Sequence, residues 1–273
     1  MNTCKVVITG ASGFIGSELV NKLRLINGFE IIPVSRSKKD KTYLHVHSYE
    51  EAPSGDILIH LAEPSDRGFV NNADQRVLFK NIENLDFLLN NNYQNIIYCS
   101  SSSVYGDSGR TLFSENDVIE PYDQYSTMKF DNEKKILSHG GIVVRLTNVI
   151  GCNMAKNNVL SDIISQIPGL GPILVQNTKP IRDFIAIGDV VDALLMMTIK
   201  GGSGVYNIGT GIGVSIKDLA EVALKIHGEI VRPVKPLKQS KLDSFNVVNI
   251  EKVKNIYNWA PKISLVESIR ELI

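Results

Sequence analysis

Tyr125 precedes Lys129 by four residues in the segment YSTMK, a spacing that puts both side chains on one face of a helix. A lysine ammonium beside a phenol favours the phenolate, so the pair can take a proton from a hydroxyl or return one. Upstream, the run Cys99-Ser100-Ser101-Ser102-Ser103-Val104-Tyr105-Gly106 follows the apolar stretch Asn95-Ile96-Ile97-Tyr98. A serine hydroxyl at the C-terminal end of a parallel strand faces the crevice in which such sheets bind ligands. Near the N-terminus, Gly10, Gly13 and Gly16 follow Val6-Val7-Ile8 and open a segment with Phe14, Ile15, Leu19, Val20 and Leu23 at helical spacing. In such a GxxGxxG turn the first glycine permits a tight bend and the second lets backbone approach a phosphate. The third lets helix and strand pack closely. The N–H groups at the helix start then face a pyrophosphate. A YxxxK pair alone is common; placed after a glycine turn and a serine cluster, it is specific. It predicts hydride exchange with a nicotinamide coupled to proton transfer at a sugar hydroxyl, with Lys129 also holding the nicotinamide ribose.

Which dinucleotide is meant turns on IIPVSRSKK. At the end of a second strand, NAD binding usually employs an acidic residue to accept from the ribose 2′-hydroxyl, whereas Arg36 can pair with a 2′-phosphate. Ser35 and Ser37 can add hydroxyl contacts, and Lys38 and Lys39 further positive charge. The stretch therefore points to NADP(H), with NAD(H) left open and a solvated basic loop as the plainer alternative.

These residues need a scaffold, and the apolar pattern supplies one. Short β-branched runs at Val6–Ile8, Ile31–Ile32, Ile57–Ile59, Asn95–Tyr98 and Ile142–Val144 read as strands, and roughly Asp74 to Leu89 reads as a helix. Strand alternating with helix implies right-handed crossovers, giving an α/β Rossmann fold with a doubly wound parallel sheet. Beyond about residue 150 the pattern loosens and prolines at 168, 172, 180, 233 and 236 punctuate it. The expected division is an NAD(P)-binding domain of residues 1–150 and 181–210, with a smaller C-terminal substrate-binding lobe of 151–180 and 211–273.

Composition excludes several classes. The 273 residues hold 29 basic and 29 acidic side chains, so bulk charge suggests neither nucleic acid nor an acidic membrane as partner. Three widely spaced cysteines (Cys4, Cys99, Cys152) read as reduced, buried small side chains. No secretory leader and no apolar run of eighteen residues is present, so a soluble cytoplasmic protein is expected. No metal site is expected either, because His45, His47, His60 and His139 form no ligand pattern with acidic neighbours.

The chain resembles the extended short-chain dehydrogenase/reductase family of NAD(P)-dependent nucleotide-sugar epimerases, dehydratases and reductases. The resemblance rests on TGASGFIG at 9–16, HLAE at 60–63, SSSSVYG at 100–106, YSTMK at 125–129 and RLTNVIG at 145–151. It continues through RDFIAIGDVVDAL at 182–194 and GVYNIGTG at 204–211 to a tail ending NWAPKISLVESI. It implies that Tyr125 is the catalytic acid/base, Lys129 its partner and Ser101 the hydroxyl sharing the substrate oxygen. It implies further that Ser12, Phe14, Ile15, Leu61, Ala62, Tyr125 and Lys129 join the three glycines, Arg36 and Ser37 around the dinucleotide. Asn148 would lie beside a nucleotide-sugar substrate with Ser102 and Ser103, Asn158 would touch its diphosphate, and Arg182 would pair with its phosphates. Asn148 can equally cap a strand, and Arg182 can form a surface ion pair. A homodimer through a helix pair that includes the Tyr125 helix is the family expectation.

Departures from the family pattern narrow the reaction. The dehydratases carry an Asp-Glu pair where Ser102 and Ser103 stand, so elimination of water lacks its carboxylates. The late RxxD phosphate clamp is incomplete, since the region reads KQSKLD; Asp243 remains, with Lys238, Lys241 or Arg232 to take the arginine's part. The acidic pair usual near the adenine is replaced by HVHSYE, and the segment between Asn148 and Asn158 is short. The expected activity is reduction of a 4-keto sugar by NADPH with Tyr125 as proton donor. The alternatives are an NAD-dependent 4-epimerase with the same residues and a non-catalytic dinucleotide-binding sensor or scaffold.

Overall fold

The computed structural model describes residues 3–37, 41–108, 111–229, 231–238 and 244–273. Lys38, Lys39, Lys241 and Asp243, singled out in the sequence, lie outside the described residues. The chain divides into two compact units. Unit 1 comprises Met1–Val104, Glu120–Arg145 and Val191–Tyr206, and unit 2 comprises Tyr105–Ile119, Leu146–Val190 and Asn207–Ile273.

The first strands and helices are β1 (Cys4–Thr9), α1 (Phe14–Leu23), β2 (Phe29–Ser35), β3 (Leu44–His45) and β4 (Ile57–His60). They are followed by α2 (Arg67–Asn71), α3 (Gln75–Leu89), β5 (Asn95–Ser101), α4 (Gln124–Ser138) and β6 (Ile142–Leu146). Unit 2 begins its own pattern with β7 (Asn148–Ile150), α5 (Val159–Gln166), β8 (Ile173–Val175) and β9 (Ile181–Ala186). Then come α6 (Ile187–Lys200), β10 (Gly204–Ile208), β11 (Gly213–Ser215), α7 (Ile216–Ile226), β12 (Val234–Pro236), β13 (Phe245–Asn246), α8 (Glu251–Tyr257) and α9 (Leu265–Arg270).

The main sheet is parallel and seven-stranded, in the order β10-β6-β5-β4-β1-β2-β3. The chain leaves β1 for β2 on one side and returns to β4 on the other, which is the topological switch point where such sheets bind ligands. Sheets covered on both faces need strands that are apolar throughout. Accordingly Val6, Val7, Ile8, Leu58, Ile59, Ile97, Val143 and Val144 are buried. The two-residue β3 was too short to carry a periodic signal. Unit 2 holds a mixed sheet in which β9 pairs antiparallel with β11 and parallel with β13 and β7, and a separate pair β8/β12. Its core gathers Leu160, Ile163, Phe184, Leu219, Leu224 and Ile269.

The cysteine expectation needs correction: Cys99 is buried in β5, but Cys4 is half-buried and Cys152 exposed. Cys4 opens its strand and Cys152 sits in the turn after β7, so neither is enclosed in a sheet as Cys99 is.

Gly16 shows how closely α1 lies on the turn that precedes it. A Cβ there would collide with the Gly10 carbonyl oxygen and come within 2.8 Å of the Ala11 Cα. Both obstacles are backbone, so no rotamer change relieves them. Gly16→Ala would gain about 1 kcal/mol of helix propensity, but overpacking of this kind costs about 1–3 kcal/mol. The expected result is net destabilisation, read as a lower urea midpoint at unchanged m-value. An equal or higher midpoint would mean that helix and turn can separate freely.

Candidate active site

The glycine turn joins β1 to α1. Gly10 has φ +71°, in the left-handed region, and a Cβ on it would stand 2.7 Å from the Leu61 carbonyl carbon and 2.9 Å from the Ala62 Cα. The residues after β4 thus press directly on the turn, and the Leu61 N–H donates to the Thr9 carbonyl at 3.1 Å. Ser12 Oγ lies 2.7 Å from Ser35 Oγ and 3.3 Å from Ser37 Oγ, linking the turn to the end of β2. Arg36 is exposed and lays its guanidinium over the Tyr49 ring, 4.6 Å from the centroid. This turn fits a dinucleotide: it has the positive φ, lacks Cβ atoms where backbone crowds it, and leads into a helix with no side-chain N-cap.

Tyr125 and Lys129 lie on α4, and the start of that helix is firmly held. Asp123 caps it, accepting from the Ser126 N–H at 2.9 Å and completing a capping box. The same carboxylate accepts from Arg67 and from Asn71 Nδ2 at 2.7 Å, and Asn71 Oδ1 accepts from the Tyr125 N–H at 3.0 Å. Helix α2 therefore fixes the turn that carries Tyr125. Burial pushes the Asp123 carboxyl upward, but its hydrogen bonds from Ser126, Asn71 and Arg67 hold it down at about 2.

The inward face of α4 carries Lys129, Asn132 and Glu133 alongside Ile136, at i, i+3, i+4 and i+7. Charges on such a face must be partnered to be buried. Glu133 receives the Arg145 guanidinium through two nitrogens, at 3.0 and 2.6 Å, and the Ser100 hydroxyl at 2.5 Å. Lys129 donates to the Cys99 carbonyl at 2.9 Å and to Glu63 at 2.7 Å. Its ammonium lies 5.9 Å from the centre of the Tyr125 ring. Burial works against the lysine's charge, but the Glu63 carboxylate outweighs it and holds the lysine above its ordinary range.

Glu63 has a role the sequence reading did not assign. Its carboxylate is 4 % exposed and accepts from Tyr98 Oη at 2.6 Å and Asn132 Nδ2 at 2.5 Å as well as from Lys129. His60 stacks on Tyr98 and shares a hydrogen with Thr9 Oγ1 at 2.7 Å. Burial lowers the His60 imidazole to about 4, with Lys129 and Arg36 acting in the same sense and Glu63 against it. The available signal was a carboxylate three residues past the end of an apolar strand, in HLAE. Its partner was not legible, because Lys129 is far away in the chain.

Among the serines, Ser101 Oγ accepts from the Ser103 N–H at 3.2 Å, and Ser102 is buried. Ser103 Oγ is buried with no hydrogen-bond partner among the described residues. Asn148, Asn158 and Arg182 belong to unit 2. Asn148 Nδ2 donates to the Asp183 carbonyl at 2.9 Å, and Asn158 caps α5 by accepting from the Ser161 N–H at 3.0 Å. Arg182 pairs with Asp107 at 2.9 Å and donates to Ser244 Oγ at 2.6 Å. Arg232 spends its guanidinium on the carbonyls of Gln166, Ile167 and Gly171, capping the C-terminal end of α5. Of the cations considered for the phosphate clamp, that one is committed to structure. Among the described residues no group of three or more side chains could hold a metal ion, and no helix is long and apolar enough to cross a membrane.

The model of the NAD dependent epimerase/dehydratase family matches residues 6–209. The chain is 27 % identical to GDP-6-deoxy-D-talose 4-dehydrogenase of Aggregatibacter actinomycetemcomitans, over 81 % of this chain and 80 % of that one. In fold it is similar to UDP-glucose 4-epimerase of Thermotoga maritima, solved with UDP-glucose (TM-score 0.84, 24 % identity, 98 % and 96 % of the two chains). It is likewise similar to RMD of Pseudomonas aeruginosa, solved with NADPH (TM-score 0.86, 22 % identity, 99 % and 97 %). The chain belongs to the NAD-dependent epimerase/dehydratase family and is an enzyme that works with an NAD or NADP dinucleotide.

Proposed function

We propose that this enzyme reduces a nucleotide-activated 4-keto sugar, with NADPH as reductant and Tyr125 as proton donor. The observation that carries the reading is the end of β2. There Arg36 is braced on Tyr49 beside the linked hydroxyls of Ser12, Ser35 and Ser37. A guanidinium with hydroxyl donors suits a ribose 2′-phosphate, whereas a bare 2′-hydroxyl would call for a carboxylate acceptor. The relative from A. actinomycetemcomitans, whose name places its chemistry at position 4 of a GDP-sugar, supports the same class. Ser102 and Ser103 offer no carboxylate, which argues against dehydration.

When bound, the dinucleotide supplies the hydride. Tyr125 gives its phenolic proton to the carbonyl oxygen as that oxygen gains charge, and the electron pair of the broken O–H bond stays on the phenolate. Water then returns a proton to Tyr125. Ser101 shares the substrate oxygen, and the third N–H of Lys129, beyond those given to Glu63 and Cys99, is available for the ribose. In this reading unit 1 holds the dinucleotide. Asn148, Asn158 and Arg182 hold the sugar nucleotide, whose phosphates compete with Asp107 for Arg182. A homodimer through α3 and α4 belongs to the reading as well, and Phe79 on α3 is exposed.

The test is cofactor identity. Arg36→Ala should weaken NADPH binding about 10- to 100-fold, the range of one charge-assisted contact, and leave NADH binding unchanged in fluorescence titrations. NAD that co-purifies tightly and is indifferent to Arg36 would overturn the reductase. It would favour a 4-epimerase, in which Tyr125 first removes the hydroxyl proton and later returns it on the other face.

A further inference from the structure

We infer that Glu63 is a positioning residue for proton transfer: seated on the Lys129 ammonium, its carboxylate offsets the charge that would stabilise a Tyr125 phenolate. The pull of the ammonium on the phenol is thereby reduced. The inference rests on the reading of Tyr125 as the acid and goes beyond it, because it gives a residue outside the serine–tyrosine–lysine set control over the charge that Tyr125 meets.

The geometry carries the argument. A lone ammonium about 6 Å from a phenol ring favours the phenolate strongly in a protected site. A carboxylate 2.7 Å from that ammonium turns the single charge into a dipole, whose field falls off faster with distance. Glu63 cannot swing away, since Tyr98 Oη and Asn132 Nδ2 donate to it from β5 and α4. Lys129 is also fixed, by the Cys99 carbonyl. The lysine therefore keeps its place and its free N–H while losing much of its pull on the phenol.

The other groups near the cluster leave this balance in place. From β4, His60 stands 3.9 Å from Glu63, and burial keeps it neutral at ordinary pH. From β5, burial raises Tyr98 well above its ordinary range and Cys99 to about 12, so both stay protonated. At the start of α4, Asp123 is matched by Arg67 from α2, and further along Glu133 is matched by Arg145 from β6. Arg36 is exposed and lies over the Tyr49 ring, and its charge reaches the cluster through His60, which it helps to keep neutral. Lys129 and Glu63 are thus the pair whose balance Tyr125 feels.

The consequence follows from acid–base chemistry. Reduction of a ketone begins with a phenol that can give a proton, whereas oxidation of an alcohol begins with a phenolate that can take one. A carboxylate on the lysine therefore shifts the pH range in which the site can give a proton, while the overall equilibrium remains that of the reactants.

The experiment is a titration of the protein labelled with 13C at tyrosine Cζ. The Tyr125 signal is assigned by its loss in Tyr125→Phe and followed in wild type, Glu63→Gln and Glu63→Asp. In Glu63→Gln the phenolate-to-phenol ratio of Tyr125 at fixed pH should rise about tenfold, since the neutral amide keeps the shape and removes the charge. Glu63→Asp, whose shorter side chain draws the carboxylate back, should fall between the two. A Glu63→Gln titration that superimposes on wild type overturns the inference. Should that variant not fold, an Asp variant that superimposes on wild type overturns it equally. The titration needs neither sugar nor dinucleotide, so a wild-type enzyme that fails to reduce any 4-keto sugar would remove the proposed reaction without deciding the role of Glu63.

Discussion

Tyr125→Phe is expected to lower turnover about a thousandfold while leaving dinucleotide affinity unchanged. The magnitude is the usual worth of a positioned general acid. The separation of the two effects comes from the way this helix is built. The phenol oxygen is not among the groups that hold α4 in place: the first turn is fixed by the Asp123 cap and by Asn71, which takes the backbone N–H of residue 125 whatever its side chain. Lys129 is anchored by Glu63 and by the Cys99 carbonyl, so it does not move when the hydroxyl is removed. The variant should therefore bind NADPH as the wild type does and fail in the proton-transfer step. Steady-state rates at 340 nm, with fluorescence titration of the dinucleotide, provide the check. Loss of binding together with rate would mean that Tyr125 is structural. An undiminished rate would require a different acid.

Glu133→Ala should cost the fold about 3–5 kcal/mol, the typical penalty for leaving one partner of a buried ion pair uncompensated. Arg145 is 3 % exposed and its guanidinium meets Glu133 through two nitrogens, while Ser100 donates to the same carboxylate. Removing the carboxylate strands a buried cation between β6 and α4. The urea midpoint should fall accordingly. Glu133→Leu combined with Arg145→Met should be less damaging than the sum of the single changes, because the pair's main requirement is that both charges be present or both absent. Additive losses in that cycle would show that the two residues act independently. The pair lies one helical turn beyond Lys129 on the same face, so loosening it also frees the end of the segment that presents Tyr125 and Lys129.

Histidine and arginine placement shows how far sequence reading extended. His60, outside any ligand pattern in the sequence, is a buried ring packed between Tyr49 and Tyr98. Arg232 was considered for phosphate binding, but its guanidinium closes the end of α5. In both cases the residue type was evident and its surroundings were not. An arginine is as well suited to three carbonyls as to a phosphate, and only the path of the chain decides which it meets.

What the sequence determined by itself is everything that depends on spacing along the chain. Apolar runs of strand length alternating with helical stretches specify a parallel sheet with crossovers. The step of three between Gly10, Gly13 and Gly16 specifies a turn that backbone can crowd, and the step of four from Tyr125 to Lys129 specifies a shared helix face. Each is a local periodicity, fixed by the geometry of one element. The tertiary structure alone decided which distant side chains meet the charges: Glu63 on the buried Lys129, and Tyr49 beneath the exposed Arg36. Spacing fixes the face of a helix or strand on which a charge lies. The partner waiting there is set by packing between elements, and in a low-dielectric interior that partner decides what the charge can do.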